Sequence, residues 1–137
     1  MSTWTPAEIA DRDARRFVAV LEEIGGEGAP LGGGWMSCDR PGSWANHAAG
    51  LGLRGPVDSA DLDALIAFYV ARGRTPQIQL TPYQHPTLLG GLEARGFVPY
   101  HEQTVLVRDL TDLPADVPVS SLEFRAVDPS DDASVAA

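Results

Sequence analysis

The sequence Leu88-Leu89-Gly90-Gly91-Leu92-Glu93-Ala94-Arg95-Gly96-Phe97 has the form of a helix that stops on a left-handed glycine and passes the chain to a strand. His85-Pro86 opens it, with proline tolerated in the first turn, where its missing N–H costs nothing. Leu88, Leu89 and Leu92 give it an apolar side, Gly96 ends it, and Phe97 is placed to contact Leu92 as in a Schellman stop. Gly90 and Gly91 each weaken a helix interior by about 1 kcal/mol relative to alanine. The usual compensation is close backbone packing against a neighbour.

Upstream, Asp58 caps a second helix, with Asp61 three residues on and Val57 placed to staple onto Leu62. Leu62, Leu65, Ile66, Tyr69 and Val70 form its buried stripe and Gly73 ends it. Residues 75–81 then alternate, with Ile78 and Leu80 on one face, which predicts a helix-to-strand step. Before it, Trp35-Met36-Ser37-Cys38 and residues 44–53 read as a strand hairpin around Asp39-Arg40-Pro41-Gly42, reached through a glycine-rich connection over 28–34. The first helix opens with the capping box Thr5-Pro6-Ala7-Glu8, with Trp4 set to staple onto Ile9. It runs to about Ile24 with Phe17, Val20, Leu21 and Ile24 as its stripe. Downstream of Gly96, residues 97–101 and 104–109 are expected to form a last strand pair, with Val105, Leu106 and Val107 buried. The expectation is an α/β (α+β) domain, a mixed central sheet flanked by about three helices.

The 137 residues suit one core, and 44% apolar with 21% charged residues is ordinary for a globular chain. A net charge of −9 with ten scattered arginines argues against a nucleic-acid partner, whose phosphates require a dense positive face. The chain contains no lysine, which removes Schiff-base and lysine-nucleophile chemistry. A single cysteine, Cys38, and the separated His47, His85 and His101 offer neither a disulfide nor metal-ligand spacing, so no metal is expected. Short apolar runs and a charged first helix predict neither a membrane span nor an export leader, hence a cytoplasmic setting.

After Leu110 the sequence Thr-Asp-Leu-Pro-Ala-Asp-Val-Pro-Val-Ser-Ser reads as a linker over residues 111–121. Leu122-Glu123-Phe124-Arg125-Ala126-Val127-Asp128-Pro129 alternates and then opens a helix, so residues 122–137 are expected to begin a second domain or form a C-terminal tail.

The order strand, helix, strand, helix, strand, strand over residues 44–109 resembles the GNAT N-acetyltransferase superfamily. The stretch Leu88 to Phe97 is similar to the family's helix that ends in Gly-Phe. Asn46 to Leu53, Phe68-Tyr69 and Pro76 to Leu80 resemble the first domain of tandem GNAT proteins, and Leu122 to Pro129 looks like the opening of the second. The resemblance implies a GNAT-like acyl-CoA N-acyltransferase fold, with residues 1–110 as a degenerate domain of a protein that moves acetyl from acetyl-CoA to an amine. In the family, a loop of pattern Gln/Arg-x-x-Gly-x-Gly/Ala aims backbone N–H groups at the cofactor's pyrophosphate. The corresponding Arg54-Gly55-Pro56-Val57-Asp58-Ser59 loses one donor at Pro56 and adds a carboxylate at Asp58. A tyrosine that serves as acid in the family is replaced by Leu92. The resemblance therefore implies no catalytic or cofactor-binding residues in this chain: acetyl-CoA is bound elsewhere, and the chain alone is an inactive scaffold or acceptor-pocket half. Its expected partners are a second GNAT domain or a homodimer mate, with a small amine as substrate. The alternative is a non-enzymatic GNAT-like binding or dimerisation module.

Gly50-Leu51-Gly52-Leu53-Arg54-Gly55 matches G-x-G-x-x-G, yet the helix opens only after Pro56, so these read as packing glycines rather than a dinucleotide site. Trp35, Trp44, Asn46 and His47 gather on the expected hairpin and are the candidate substrate or partner pocket, against the alternative of plain core packing.

Overall fold

The computed structural model describes residues 4–24 and 26–107. Three helices and three short strands follow in the order α1 (Pro6–Ile24), β1 (Glu27–Leu31), β2 (Gly34–Cys38), β3 (Ala48–Ala49), α2 (Ser59–Val70) and α3 (Pro86–Glu93). The strands form one antiparallel sheet in the order β1-β2-β3. The fold is mixed α/β with a smaller sheet than the sequence suggests.

The glycine-rich connection over 28–34 is itself a hairpin, which corrects its reading as a loop. Leu31 pairs with Gly34 around a two-residue turn in which Gly32 and Gly33 have φ of +54° and +81°. Both central positions of such a turn need positive φ, and its twist matches that of paired strands. Gly28 carries no side chain because a Cβ there would overlap the Trp35 indole, and one on Gly34 would overlap the Ala49 carbonyl oxygen.

The expected partner strand over 44–53 contracts to Ala48–Ala49, which pairs with Trp35 and Met36. The expected strand over 75–81 contracts to one parallel bridge: the Ala48 N–H donates to Gln77 O at 2.8 Å and Gln79 N–H to Ala48 O at 2.9 Å. With α2 between them, Ala48 and Ile78 are the two arms of a short β–α–β step.

Successive strand residues point to opposite faces, and the sheet is covered on both. Met36, Cys38 and Ala48 face α2 and α3, where they join Leu51, Val57, Leu62, Leu65, Tyr69, Leu88 and Leu92. Ala49 and Trp35 face α1 and pack with Leu21, Ala45, Phe17 and Val18. Val57 and Leu62 share the first cluster, as a staple requires, and Asp58 caps α2 by accepting the Asp61 N–H at 2.8 Å. Both α2 and α3 end in Schellman geometry. Arg74 N–H reaches back to Tyr69 O at 2.9 Å and Phe97 N–H to Leu92 O at 3.1 Å, across Gly73 and Gly96, each with positive φ.

Some expected stripes shift. Ile24 and Val70 are 53% and 61% exposed, because each lies in the last turn, beyond the reach of the sheet. Ala14 replaces Ile24 as the buried end of the α1 stripe. Trp4 carries the Arg12 guanidinium over its ring at 4.2 Å, and Leu80 is 42% exposed.

The expected strand pair after Gly96 is absent among the described residues. Residues 97–107 form no strand, and Val105, Leu106 and Val107 are exposed rather than buried. Alternating β-branched residues form a strand only against a paired neighbour, and here the Tyr100 hydroxyl, 3.0 Å from Gln77 Oε1, is the side-chain tie to the sheet edge. Residues 108–109, the domain boundary at 110, the linker at 111–121 and the expected second element at 122–137 lie outside the described residues.

Candidate functional site

Of the four residues singled out on the hairpin, Trp35, Trp44 and His47 come to the α1 side of the sheet, and Asn46 serves the β2–β3 loop. Asn46 is buried, and its three hydrogen bonds all go to the loop between β2 and β3. Its Oδ1 accepts the Asp39 N–H at 2.7 Å, and its Nδ2 donates to the carbonyls of Arg40 and Ser43, both at 3.0 Å. The Asp39 carboxylate, held by the Ser43 side chain and the Arg40 backbone, titrates below the usual range. Asn46 is thus a buried loop clamp with both amide N–H groups committed.

Trp44 and His47 meet through Phe17 of α1, whose ring centroid lies 6.1 Å from Trp44 and 6.2 Å from His47. His47 Nδ1 lies 2.5 Å from the Trp44 carbonyl oxygen, so in the neutral ring this nitrogen carries the proton and Nε2 is left as the acceptor. Trp44 is 52% exposed, which leaves one face of this aromatic group open to a flat or cationic ligand. Trp35 lies in the apolar cluster that holds Phe17, with a buried indole N–H that has no hydrogen-bond partner among the described residues.

In the loop from Gly50 to Asp58, the Gly52 and Val57 N–H groups are committed to neighbouring elements. Gly50 and Gly52 have φ of +75° and +71°. The Gly52 N–H donates to Gly32 O at 3.0 Å, the His85 N–H to Gly52 O at 2.7 Å, and the Val57 N–H to Thr87 Oγ1 at 3.0 Å. The first G-x-G pair therefore seats the hairpin turn and the start of α3, as packing glycines do.

Leu92 is 2% exposed in the core, so a proton donor at this position would have no access to a reacting group. Tyr69, fully buried on α2, is no substitute, since burial pushes its phenol well above the ordinary value. The Ser37 backbone is near enough to favour the phenolate slightly, but desolvation dominates.

One small cleft lies between α1 and the two glycine turns, with a volume of about 120 Å³. Arg15 and Glu22 line it from the helix, and Gly33, Gly50 and Arg54 from the turns. The available signal was the spacing of Arg15, Ala19 and Glu22 at i, i+4 and i+7, which shares one helix face.

Among the described residues, no group of three or more His, Cys, Asp or Glu is placed to hold a metal, and no helix is long and apolar enough to cross a membrane. No family model, no curated protein and no solved structure matches this chain.

Proposed function

We propose that this chain is a degenerate GNAT-type domain that serves an N-acetyltransferase as scaffold and acceptor-pocket half, with acetyl-CoA held by a partner GNAT domain. The observation that carries the reading is the β3–α2–Ile78 parallel step followed by α3 and its Gly96-Phe97 stop, the first four of the six elements in the order the resemblance implies. The division of labour rests on the start of α2. The Asp58 carboxylate already occupies the Asp61 N–H, Val57 donates to Thr87, and Pro56 has no N–H. An anionic pyrophosphate would meet a carboxylate where the family offers free donors. The open face of Trp44 beside His47 is the surface assigned to the amine acceptor.

Two measurements test this reading. In calorimetric titration of the folded 137-residue chain with acetyl-CoA, with desulfo-CoA as control, no saturable heat is expected; micromolar binding would return the cofactor to this domain. With the partner domain supplied, amine-dependent release of the coenzyme thiol should rise when this chain is added, and Trp44→Ala should raise KM for the amine. Equal rates with and without the chain would overturn the scaffold role.

A second reading, a non-enzymatic GNAT-like module that pairs through its sheet edge, is favoured by one contrast. In the β1 register Pro30 occupies a position whose backbone faces away from β2, so that edge lacks a donor there. Across the sheet, Ile78 makes no backbone hydrogen bond of its own among the described residues, which leaves an edge able to accept a strand. A concentration series in light scattering separates the two readings: a stable dimer with no effect on acetyl transfer favours the module.

A further inference from the structure

One edge of the sheet ends on backbone groups that are not paired. Ala48 takes Gln77 O at 2.8 Å and Gln79 N–H at 2.9 Å, so the N–H and carbonyl of Ile78, which alternate with them along the chain, face away from Ala48. Ile78 makes no hydrogen bond among the described residues, although its side chain packs against the core shared by α2 and α3. An uncovered edge of this kind is a template for a further strand.

The segment that follows α3 is tied to this edge at two points. Phe97 is held at its start, where its N–H donates to Leu92 O at 3.1 Å and its side chain packs against the same core. Three residues on, the Tyr100 hydroxyl lies 3.0 Å from Oε1 of Gln77, the residue beside Ile78. Val98, Pro99 and Tyr100 are exposed, and their backbone groups, like those of Ile78, make no hydrogen bond among the described residues.

Pro99 selects one register. The segment follows Ile78 through α3, and a strand reached through a helix pairs in parallel. With Pro99 opposite Ile78, the Val98 carbonyl accepts the Ile78 N–H and the Tyr100 N–H donates to Ile78 O. The Pro99 nitrogen, which has no hydrogen, then faces outward, as proline in an edge strand must. A slip of one residue in either direction turns Pro99 inward and removes a ladder donor. The same register sets Tyr100 diagonally from Gln77 on one face, the two residues that already meet through the hydroxyl. We infer that residues 98–100 are a strap that closes on the Ile78 edge in this register and shields it from strands of other chains. The structure shows the strap open, tied at Phe97 and Tyr100. The inference needs neither acetyl-CoA nor a partner domain, and it makes access to the edge, on which the dimerising module depends, conditional on the strap.

The test is amide hydrogen exchange of the 15N-labelled full chain, read residue by residue at several protein concentrations. The Ile78 and Tyr100 amides should be slowed together by about fivefold or more relative to an open chain, the protection that one net backbone hydrogen bond supplies. Tyr100→Pro removes the donor to Ile78 O and should return the Ile78 amide to the open-chain rate. Pro99→Ala, whose new N–H faces outward, should leave Ile78 protected, and Tyr100→Phe, which loses only the hydroxyl, should fall between parent and Tyr100→Pro. Pro99 and Tyr100 are exposed, so all three variants should retain the parent spectrum away from the strap. In light scattering at equal concentration, Tyr100→Pro should associate more than the parent. Open-chain rates at both amides in the parent, or Ile78 protection that survives Tyr100→Pro, would overturn the pairing. Protection that rises with protein concentration would give the edge to a second copy instead, and equal association of parent and Tyr100→Pro would overturn the shielding.

Discussion

The adjacent Gly90 and Gly91 show how two identical residues acquire opposite meanings. A Cβ on Gly91 would overlap Leu62 Cδ1, and Leu62 is 1% exposed within the core, so α3 approaches α2 across a surface that only hydrogen fits. At Gly90 there is nothing within 4 Å. Gly90→Ala should therefore raise unfolding stability by about 1 kcal/mol through helix propensity and unfolded-state entropy. Gly91→Ala should lower it, since overpacking a core costs about 1–3 kcal/mol. Urea midpoints of the two variants on either side of the parent would establish the close approach; two equal gains would disprove it. Asn46 allows a companion test. Asn46→Ala strands the Asp39 N–H inside a half-buried loop, at a cost of about 1–3 kcal/mol, whereas Trp44→Ala on the exposed side of the same hairpin should stay below 1 kcal/mol. If the two losses were equal, Asn46 would be no clamp.

At the level of elements, end signals were legible in the sequence and strand lengths were not. The cap at Asp58, the stops at Gly73 and Gly96 and the capping box at Thr5 are local hydrogen-bonding devices, complete within a few residues, and all are present. Strands answer to partners distant in sequence, so residues 44–53 and 75–81 kept only the few positions that find one, and 97–107 kept none among those described. The hairpin at Gly32-Gly33 was hidden because its strands carry Gly28, Pro30 and Gly34, residues that argue against a strand until the cross-strand approach of Trp35 and Ala49 is known. The candidate site was legible in part for the same reason: aromatic residues mark a surface from sequence, but only the fold shows that both Asn46 amide N–H groups are committed to its own loop. The α1 capping box carries a pH signature. Glu8 accepts the Thr5 backbone N–H at 2.7 Å, which lowers its pKa below 4.5. A carboxylate depressed in the folded state adds stability above its unfolded value and loses it as pH falls through the folded value. The advantage of the parent over Glu8→Gln should therefore be full above pH 4.5 and shrink below it, as read by circular dichroism melting. A difference independent of pH would mean that the carboxylate charge plays no part.

On the scale of the molecule, charge and apolar exposure are segregated along the chain. The net charge is −9, yet residues 75–92 contain no charged side chain and residues 97–107 contain only Glu102. The same two segments hold Leu80, Tyr83, Leu89, Val98, Tyr100, Val105, Leu106 and Val107, 8 of the 12 exposed large apolar residues among those described. Repulsion between copies at neutral pH originates elsewhere on the chain, so these segments are where two copies meet most easily once that repulsion fades. It fades near the sequence pI of about 4.5. Light scattering should therefore show self-association rising as pH approaches 4.5, in a form relieved by the double substitution Val98→Asp with Leu106→Asp, because aspartate stays largely ionised there. Val98 and Leu106 are 77% and 90% exposed, so the pair should leave the unfolding midpoint at neutral pH within about 0.5 kcal/mol of the parent. A large loss of stability would mean instead that 97–107 is covered in solution, and would restore the buried strand pair that the sequence pattern suggested. An unchanged midpoint with relieved association would make this weakly charged stretch the exposed contact face of the chain, the surface on which the partner of the acetyltransferase reading would have to settle.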